Sequence, residues 1–131
     1  MSGLTDQDRK LLQGKNFAHL VTLNEDGSPH VAPLWIDVDA EGNVLVNSAV
    51  GRTKDRNIRR DPRVALSISP QDDPYIYLAV QGTVTSIETG PEAEAHIDAL
   101  NRRYHDGERW SPVEGQVRVI YRIRPDRVTH G

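Results

Sequence analysis

Apolar and polar positions alternate along several stretches of this chain, and a period of two is the mark of a half-buried strand. Strand-like stretches cover residues 16–24, 30–39, 44–47, 64–68, 75–87 and 116–123. In the last of these, Val117, Val119, Tyr121 and Ile123 form the alternating set. Glu25-Asp26-Gly27-Ser28 links the first pair through Asp-Gly, a strong hairpin signal. Ala40-Glu41-Gly42-Asn43 makes the next turn. Gly82 falls inside a strand pattern, where glycine marks a bulge or bend.

Three segments change period. Thr5 can cap a helix, with Asp8 at its third position facing the free N–H groups, Leu11 and Leu12 on one edge and Gly14 at its end. Residues 53–60 read as a second helix, stopped at Asp61-Pro62 because a residue before proline avoids helical angles. Gly90-Pro91 opens a third, with Ala93, Ile97, Leu100 and Tyr104 at helical spacing. Six strands, the first three in a meander and helices between later pairs, predict a mainly β fold: a closed or nearly closed antiparallel barrel.

The length of 131 residues fits a single domain. There is no cysteine, which removes disulfides, thiolate nucleophiles and cysteine-based metal sites and suits a reducing compartment. The chain starts Met1-Ser2-Gly3-Leu4, without a basic segment leading into an apolar core, so no signal peptide is read. No apolar run approaches the ~20 residues of a membrane span, and a cytoplasmic location is expected. A net charge of −3 with seven aromatic residues argues against a nucleic-acid-binding barrel.

The charge is unevenly distributed. Arg52, Lys54, Arg56, Arg59, Arg60 and Arg63 face only Asp55 and Asp61 in their stretch, a local charge of +4. Gly51 permits close backbone approach, and the first N–H groups of the helix at 53–60 are unpaired donors at a positive dipole end. Thr53 adds a hydroxyl, while Arg52 and Lys54 add charge suited to phosphate. A plain alternative stands beside this: a solvated polar helix, with Thr53 as its cap and Asp55 paired to Arg59. Neither a Walker loop nor a Gly-x-Gly-x-x-Gly turn is present.

Pro33 within a strand suggests an edge or bulge, and Trp35 offers a flat surface for a planar ring; a core tryptophan is the plainer reading. Tyr75 and Tyr77 begin the long strand on one face, where packing explains them equally well. The histidines (19, 30, 96, 105 and 130) have no metal-ligand spacing, so no metal is expected. No nucleophile elbow and no hydrolase constellation is found, and no protein acid or base is assigned. Redox chemistry on a bound cofactor needs positioning more than a protein acid or base.

The run Gly51-Arg52-Thr53-Lys54-Asp55-Arg56-Asn57-Ile58-Arg59-Arg60-Asp61-Pro62-Arg63-Val64-Ala65-Leu66 resembles the flavin- and deazaflavin-binding split β-barrel superfamily. That group includes pyridoxamine 5′-phosphate oxidase-like proteins and the actinobacterial coenzyme F420-dependent reductases. Asp26-Gly27-Ser28-Pro29, Val31-Ala32-Pro33-Leu34-Trp35 and Arg102-Arg103-Tyr104 are similar as well, so the likeness spans about residues 11–128. It implies a six-stranded antiparallel split β-barrel and a homodimer with cofactor sites at the subunit interface. It also implies roles. Thr53 and Lys54, with Arg52 nearby, would hold the cofactor phosphate. Asn47 and Ser48 would approach the ribityl-phosphate region. Ala32 to Asp37, with Pro33, Leu34 and Trp35 among them, would supply backbone contacts along the ring, and the partner subunit's Tyr77 would add to it.

The short C-terminus leaves little room for the pyridoxal phosphate residues of the oxidases proper. The likeness is therefore greater to the deazaflavin subgroup, in which reduced coenzyme F420 passes hydride to a small acceptor. An FMN-dependent oxidase or reductase and a non-catalytic cofactor-binding protein are the alternatives. Arg56, Arg59 and Arg60 would either favour an acidic cofactor tail or pair with local acids.

Overall fold

Seven strands form one antiparallel sheet in a computed structural model that describes residues 3–131. Met1 and Ser2, part of the start read above as leaderless, lie outside the described residues. In chain order the elements are α1 (Asp6–Gln13), β1 (Phe17–Leu23), β2 (Pro29–Trp35), β3 (Asp37–Val38), β4 (Val44–Ala49), α2 (Thr53–Arg60), β5 (Arg63–Ile68), β6 (Leu78–Thr89), α3 (Pro91–Tyr104) and β7 (Arg118–His130).

Across the sheet the strands run in the order β2-β1-β5-β6-β7-β4-β3, yet the edge strands β2 and β3 are consecutive in the chain, with only Ile36 between them. A flat sheet of this order would hold them roughly 29 Å apart at ordinary strand spacing. One residue spans about 3.8 Å, so the sheet must curl until its edges meet. That is the split-barrel fold expected above. Its interior is packed with Ala18, Leu20, Val44, Val46, Leu66, Ile68, Val80, Val119, Tyr121 and Ile123, all at most 3% exposed.

The strand count differs from the sequence reading. The stretch 30–39 is broken at Ile36 because α3 takes that residue's backbone groups. Ile36 N–H donates to the Tyr104 hydroxyl at 3.2 Å, and Arg103 Nη1 donates to the Ile36 carbonyl at 3.1 Å. The long strand begins at Leu78 rather than residue 75, since Asp73 Oδ1 accepts from the Tyr75 N–H at 3.0 Å and holds a turn. Tyr75 is left 87% exposed and outside the sheet. The last strand runs on to His130, paired with β6 as far as Leu78. Both faces of its first part are buried: Val119 and Tyr121 point into the barrel, while Ile120 packs with Leu45 and Ala93.

The helices begin as read. Thr5 and Asp8 form a reciprocal capping box at 3.1 and 2.9 Å, and Pro91 occupies the first turn of α3. Gly82 sits where the β6–β7 register shifts. A Cβ there would lie 2.6 Å from Ile123 Cγ2 and 2.7 Å from the Arg124 carbonyl oxygen. Gly82→Ala is therefore expected to destabilise by about 1–3 kcal/mol through overpacking against backbone. A lower urea midpoint at unchanged m-value would show it; an unmoved midpoint would mean that β7 yields freely.

Candidate functional site

A cleft of about 450 Å³ opens where β4, α2, α3 and the start of β7 meet the β1–β2 edge. This volume suits a small-molecule or cofactor pocket. Its apolar side carries Phe17, Pro33, Leu34, Trp35 and Trp110, and its polar side Asn47, Arg52, Lys54 and Arg118. A larger cavity, about 550 Å³, lies between α1 and the end of β7. There Asp8 meets His130 at 2.8 Å, whereas the smaller cleft gathers Arg52, Lys54 and Arg118 with no acidic residue in its lining.

The aromatic wall is braced from behind. Trp35 stacks on Tyr104, with ring centroids 4.9 Å apart and planes at 11°. The Tyr104 hydroxyl donates to the Asn16 carbonyl at 2.5 Å and accepts from Ile36 N–H. His105 meets the Trp35 ring edge-on at 5.4 Å. Trp35 is thus a half-buried member of an aromatic cluster that also lines the cleft, intermediate between the two roles read for it.

At the polar end, Arg118 is 8% exposed. Its Nε and Nη2 donate to Asn47 Oδ1 at 3.1 and 2.9 Å, its Nη1 to Gln116 Oε1 at 3.2 Å, and the Trp110 ring lies 6.0 Å away. Among the described residues, Arg52, Lys54 and Arg118 form no ion pair with a carboxylate. Burial and the neighbouring Arg52 bring the Arg118 guanidinium down to about 10. Burial, then Arg52 and Arg118, hold Lys54 below the usual lysine range. Partly desolvated cations that repel one another are stabilised by a bound anion.

The turn leading into α2 is built by Asp55. Gly51 has φ of 94°, a left-handed conformation that favours glycine, and its N–H donates to Asp55 Oδ2 at 2.9 Å. That amide is spent within the fold rather than free for a ligand. Asp55, 2% exposed, also accepts from the Tyr121 hydroxyl at 2.5 Å and from Arg59 Nε at 3.0 Å. The Asp55–Arg59 pair of the plainer reading is therefore present. Arg60 Nη2 donates to Asn57 Oδ1 at 2.6 Å and Arg56 Nη1 to the Gly51 carbonyl at 2.5 Å, so these two meet neutral oxygens.

Pro33, Leu34, Trp35, Asn47, Arg52 and Lys54 are brought together in the cleft. Four other residues of the sequence-based set are placed elsewhere. Thr53 is exposed and lines a separate groove with Asn24, Glu25, Arg56, Asn57 and Arg60. Ser48 is 0% exposed and its Oγ has no hydrogen-bond partner among the described residues. Ala32 does not line the cleft, and Tyr77 lines the larger cavity beside α1. Asn47 is present with its amide fully used by the protein, on Arg118, Ala93 and His96. Arg118 and Trp110 escaped the sequence reading. Trp110 lies in an irregular segment, and Arg118 is an off-face position of a strand that only its pairing with Ala49 brings to the Gly51 turn.

The pyridoxamine 5′-phosphate oxidase family profile matches residues 4–130. The chain belongs to the pyridoxamine 5′-phosphate oxidase family. A 5a,11a-dehydrotetracycline/5a,11a-dehydrooxytetracycline reductase of Streptomyces rimosus subsp. rimosus is 30% identical over 93 residues, 66% of this chain and 66% of the relative. A solved F420 reductase superposes with TM-score 0.83 at 33% identity, covering 96% of this chain and 98% of that one. A conserved hypothetical protein of Mycobacterium tuberculosis superposes with TM-score 0.76 at 21% identity, covering 97% and 84%, a likeness of fold alone. Within this family, the cleft described above joins a braced aromatic wall to a cationic end, two features that suit a planar ring bearing a phosphate.

Proposed function

We propose that the chain is a deazaflavin-dependent reductase that holds reduced coenzyme F420 in the cleft and serves a small-molecule acceptor. The observation that carries this reading is the group of Arg52, Lys54 and Arg118, without a carboxylate partner among the described residues, at the end of a cleft walled by Trp35 and Trp110. The 33% identical F420 reductase and the 30% identical dehydrotetracycline reductase support the cofactor class and the direction of chemistry.

In this reading Arg118 and Lys54, with Arg52 at the rim, bind the phosphate by charge-assisted hydrogen bonds. Leu34 and Trp35 lie along the ring and keep water from one side of it, while Pro33 and Phe17 shape the mouth. The bound cofactor supplies the hydride donor, and the residues of this chain position it and exclude solvent. No protein side chain is assigned a proton. The outer faces of β1 and β2 expose Phe17 (48%) and Val31 (60%). That apolar surface supports a homodimer, in which the partner subunit's Tyr77 would complete the site.

FMN is the second reading. It shares the ring shape, ribityl chain and first phosphate, and the family takes its name from a pyridoxamine 5′-phosphate oxidase. Side-by-side fluorescence titration of the apo-protein with coenzyme F420 and FMN decides between them. Tighter binding of coenzyme F420, with hydride transfer to an acceptor, is the expected result. Protein that purifies yellow with tightly held FMN would transfer the reading to flavin chemistry. Lys54→Ala should weaken either ligand about tenfold or more, the loss of one charge-assisted contact, with an unchanged melting temperature. Equal affinity in Lys54→Ala would end the phosphate assignment at this residue.

A further inference from the structure

Asn47 stands at the junction of the cleft and α3, 9% exposed. Its Nδ2 donates to the Ala93 carbonyl at 2.9 Å and lies 3.2 Å from His96 Nδ1. Its Oδ1 accepts two hydrogen bonds from Arg118. Both amide hydrogens and both oxygen lone pairs are therefore used, and only one orientation works. A flipped amide would set its NH2 against the guanidinium and its oxygen against the Ala93 carbonyl.

The same logic assigns the His96 ring. Asn47 Nδ2 can only donate, so His96 Nδ1 must accept, and the ring proton sits on Nε2, 3.0 Å from Asp37 Oδ2. Asp37 Oδ1 in turn accepts from Arg103 Nη2 at 2.9 Å. Arg103 also holds the Ile36 carbonyl at the break between β2 and β3. A continuous chain of hydrogen bonds thus runs from Arg103 through Asp37, His96 and Asn47 to Arg118.

We infer that His96 is a positioning residue for the cleft: through Asn47 it fixes the Arg118 guanidinium in the orientation that meets an anionic group. An arginine has five N–H bonds. Asn47 and Gln116 take three, leaving one on each terminal nitrogen of Arg118 for a ligand. The arrangement requires neutral His96. A second proton would place an N–H on Nδ1 against the Asn47 NH2, and the amide would have to turn and release Arg118. Several charges act on the ring. Asp37 on β3 faces it directly, flanked by Arg103. Glu92 lies one turn earlier on α3, tied to Arg122 of β7, which also contacts Glu88 of β6 and Asp39. Arg118 lies beyond Asn47.

The inference rests on the cleft being the cofactor's anion site, but its first test does not. In the apo-protein, the Arg118 Nε–H and Asn47 side-chain amide resonances should titrate with the midpoint of the His96 ring. In His96→Asn, whose Oδ1 retains an acceptor near the Nδ1 position, they should stay flat. Resonances of Arg118 that ignore His96 ionisation would overturn the relay.

The second test uses FMN as probe. Once His96 is doubly protonated, wild-type affinity should fall by roughly tenfold more than that of His96→Asn in the same buffer. This comparison cancels the titration of the phosphate itself, near pH 6. His96→Leu, with its fold confirmed by circular dichroism, should bind about tenfold more weakly throughout. Wild-type and His96→Asn profiles that superimpose would overturn the proposal. If no variant binds FMN, the same comparison is made with coenzyme F420; binding of neither ends the cofactor reading, and the resonance test still decides the relay.

Discussion

Arg118→Met should lower cofactor affinity about 10- to 100-fold without weakening the apo-protein. The affinity loss follows from removing a buried, charge-assisted contact worth about 1.5–3 kcal/mol. Unchanged apo stability is the sharper expectation, because truncating one member of a buried ion pair is ordinarily costly. Among the described residues Arg118 has no carboxylate partner, and its guanidinium is held at about 10 by burial and by Arg52. Methionine fills similar volume, ends the repulsion with Arg52 and Lys54, and offsets the lost bonds to Asn47. Ligand titration and thermal melting, run on the same samples, separate the two effects. A melting temperature that collapses together with affinity would make Arg118 a structural residue.

Asp55→Ala has the opposite profile. Its carboxylate is buried beneath the Gly51 turn and accepts from Tyr121, Gly51 and Arg59. Burial alone would raise its pKa, but these hydrogen bonds outweigh it and hold the carboxyl below its ordinary value of 3.8. Removing it strands the Tyr121 hydroxyl, 0% exposed, in the core. The expected loss is about 3 kcal/mol at neutral pH. Because the folded pKa is depressed, this stability is complete above about pH 4 and disappears as pH falls through the folded value. Urea midpoints of wild type and Asp55→Ala should therefore differ widely at about pH 7 and draw together as pH falls below the ordinary carboxylate value of 3.8. A gap that stays constant with pH would show that the carboxylate's charge is not what stabilises the turn. Tyr121→Phe added to Asp55→Ala should cost little, since the stranded hydroxyl goes with it.

Much of the architecture was legible because its signals are local. Thr5 with Asp8, Asp26-Gly27, Asp61-Pro62 and Gly90-Pro91 each set a boundary through the geometry of a few neighbouring residues. Strand limits were less legible where remote atoms decide them. Ile36 breaks a strand pattern because Tyr104 and Arg103 claim its backbone, and β7 extends past Ile123 because β6 supplies a long partner. The candidate site divides the same way. Pro33, Leu34, Trp35, Arg52 and Lys54 stand in a motif, whereas Arg118, Trp110 and His96 enter through pairing and packing across the chain.

The sequence by itself determined the helices and most of the strands, a glycine at the entrance to α2, the excess of positive charge between Arg52 and Arg63, and a resemblance sufficient to name the family. Only the tertiary structure decided which of those charges are free. Arg59 and Arg63 are neutralised by Asp55 and Asp61, while Arg52, Lys54 and the distant Arg118 face one another without an acid among the described residues. Composition counts charges, but neutralisation depends on distance. The distance between Arg118 and the Gly51 turn is set by the antiparallel register of β4 on β7, which no local stretch of sequence specifies.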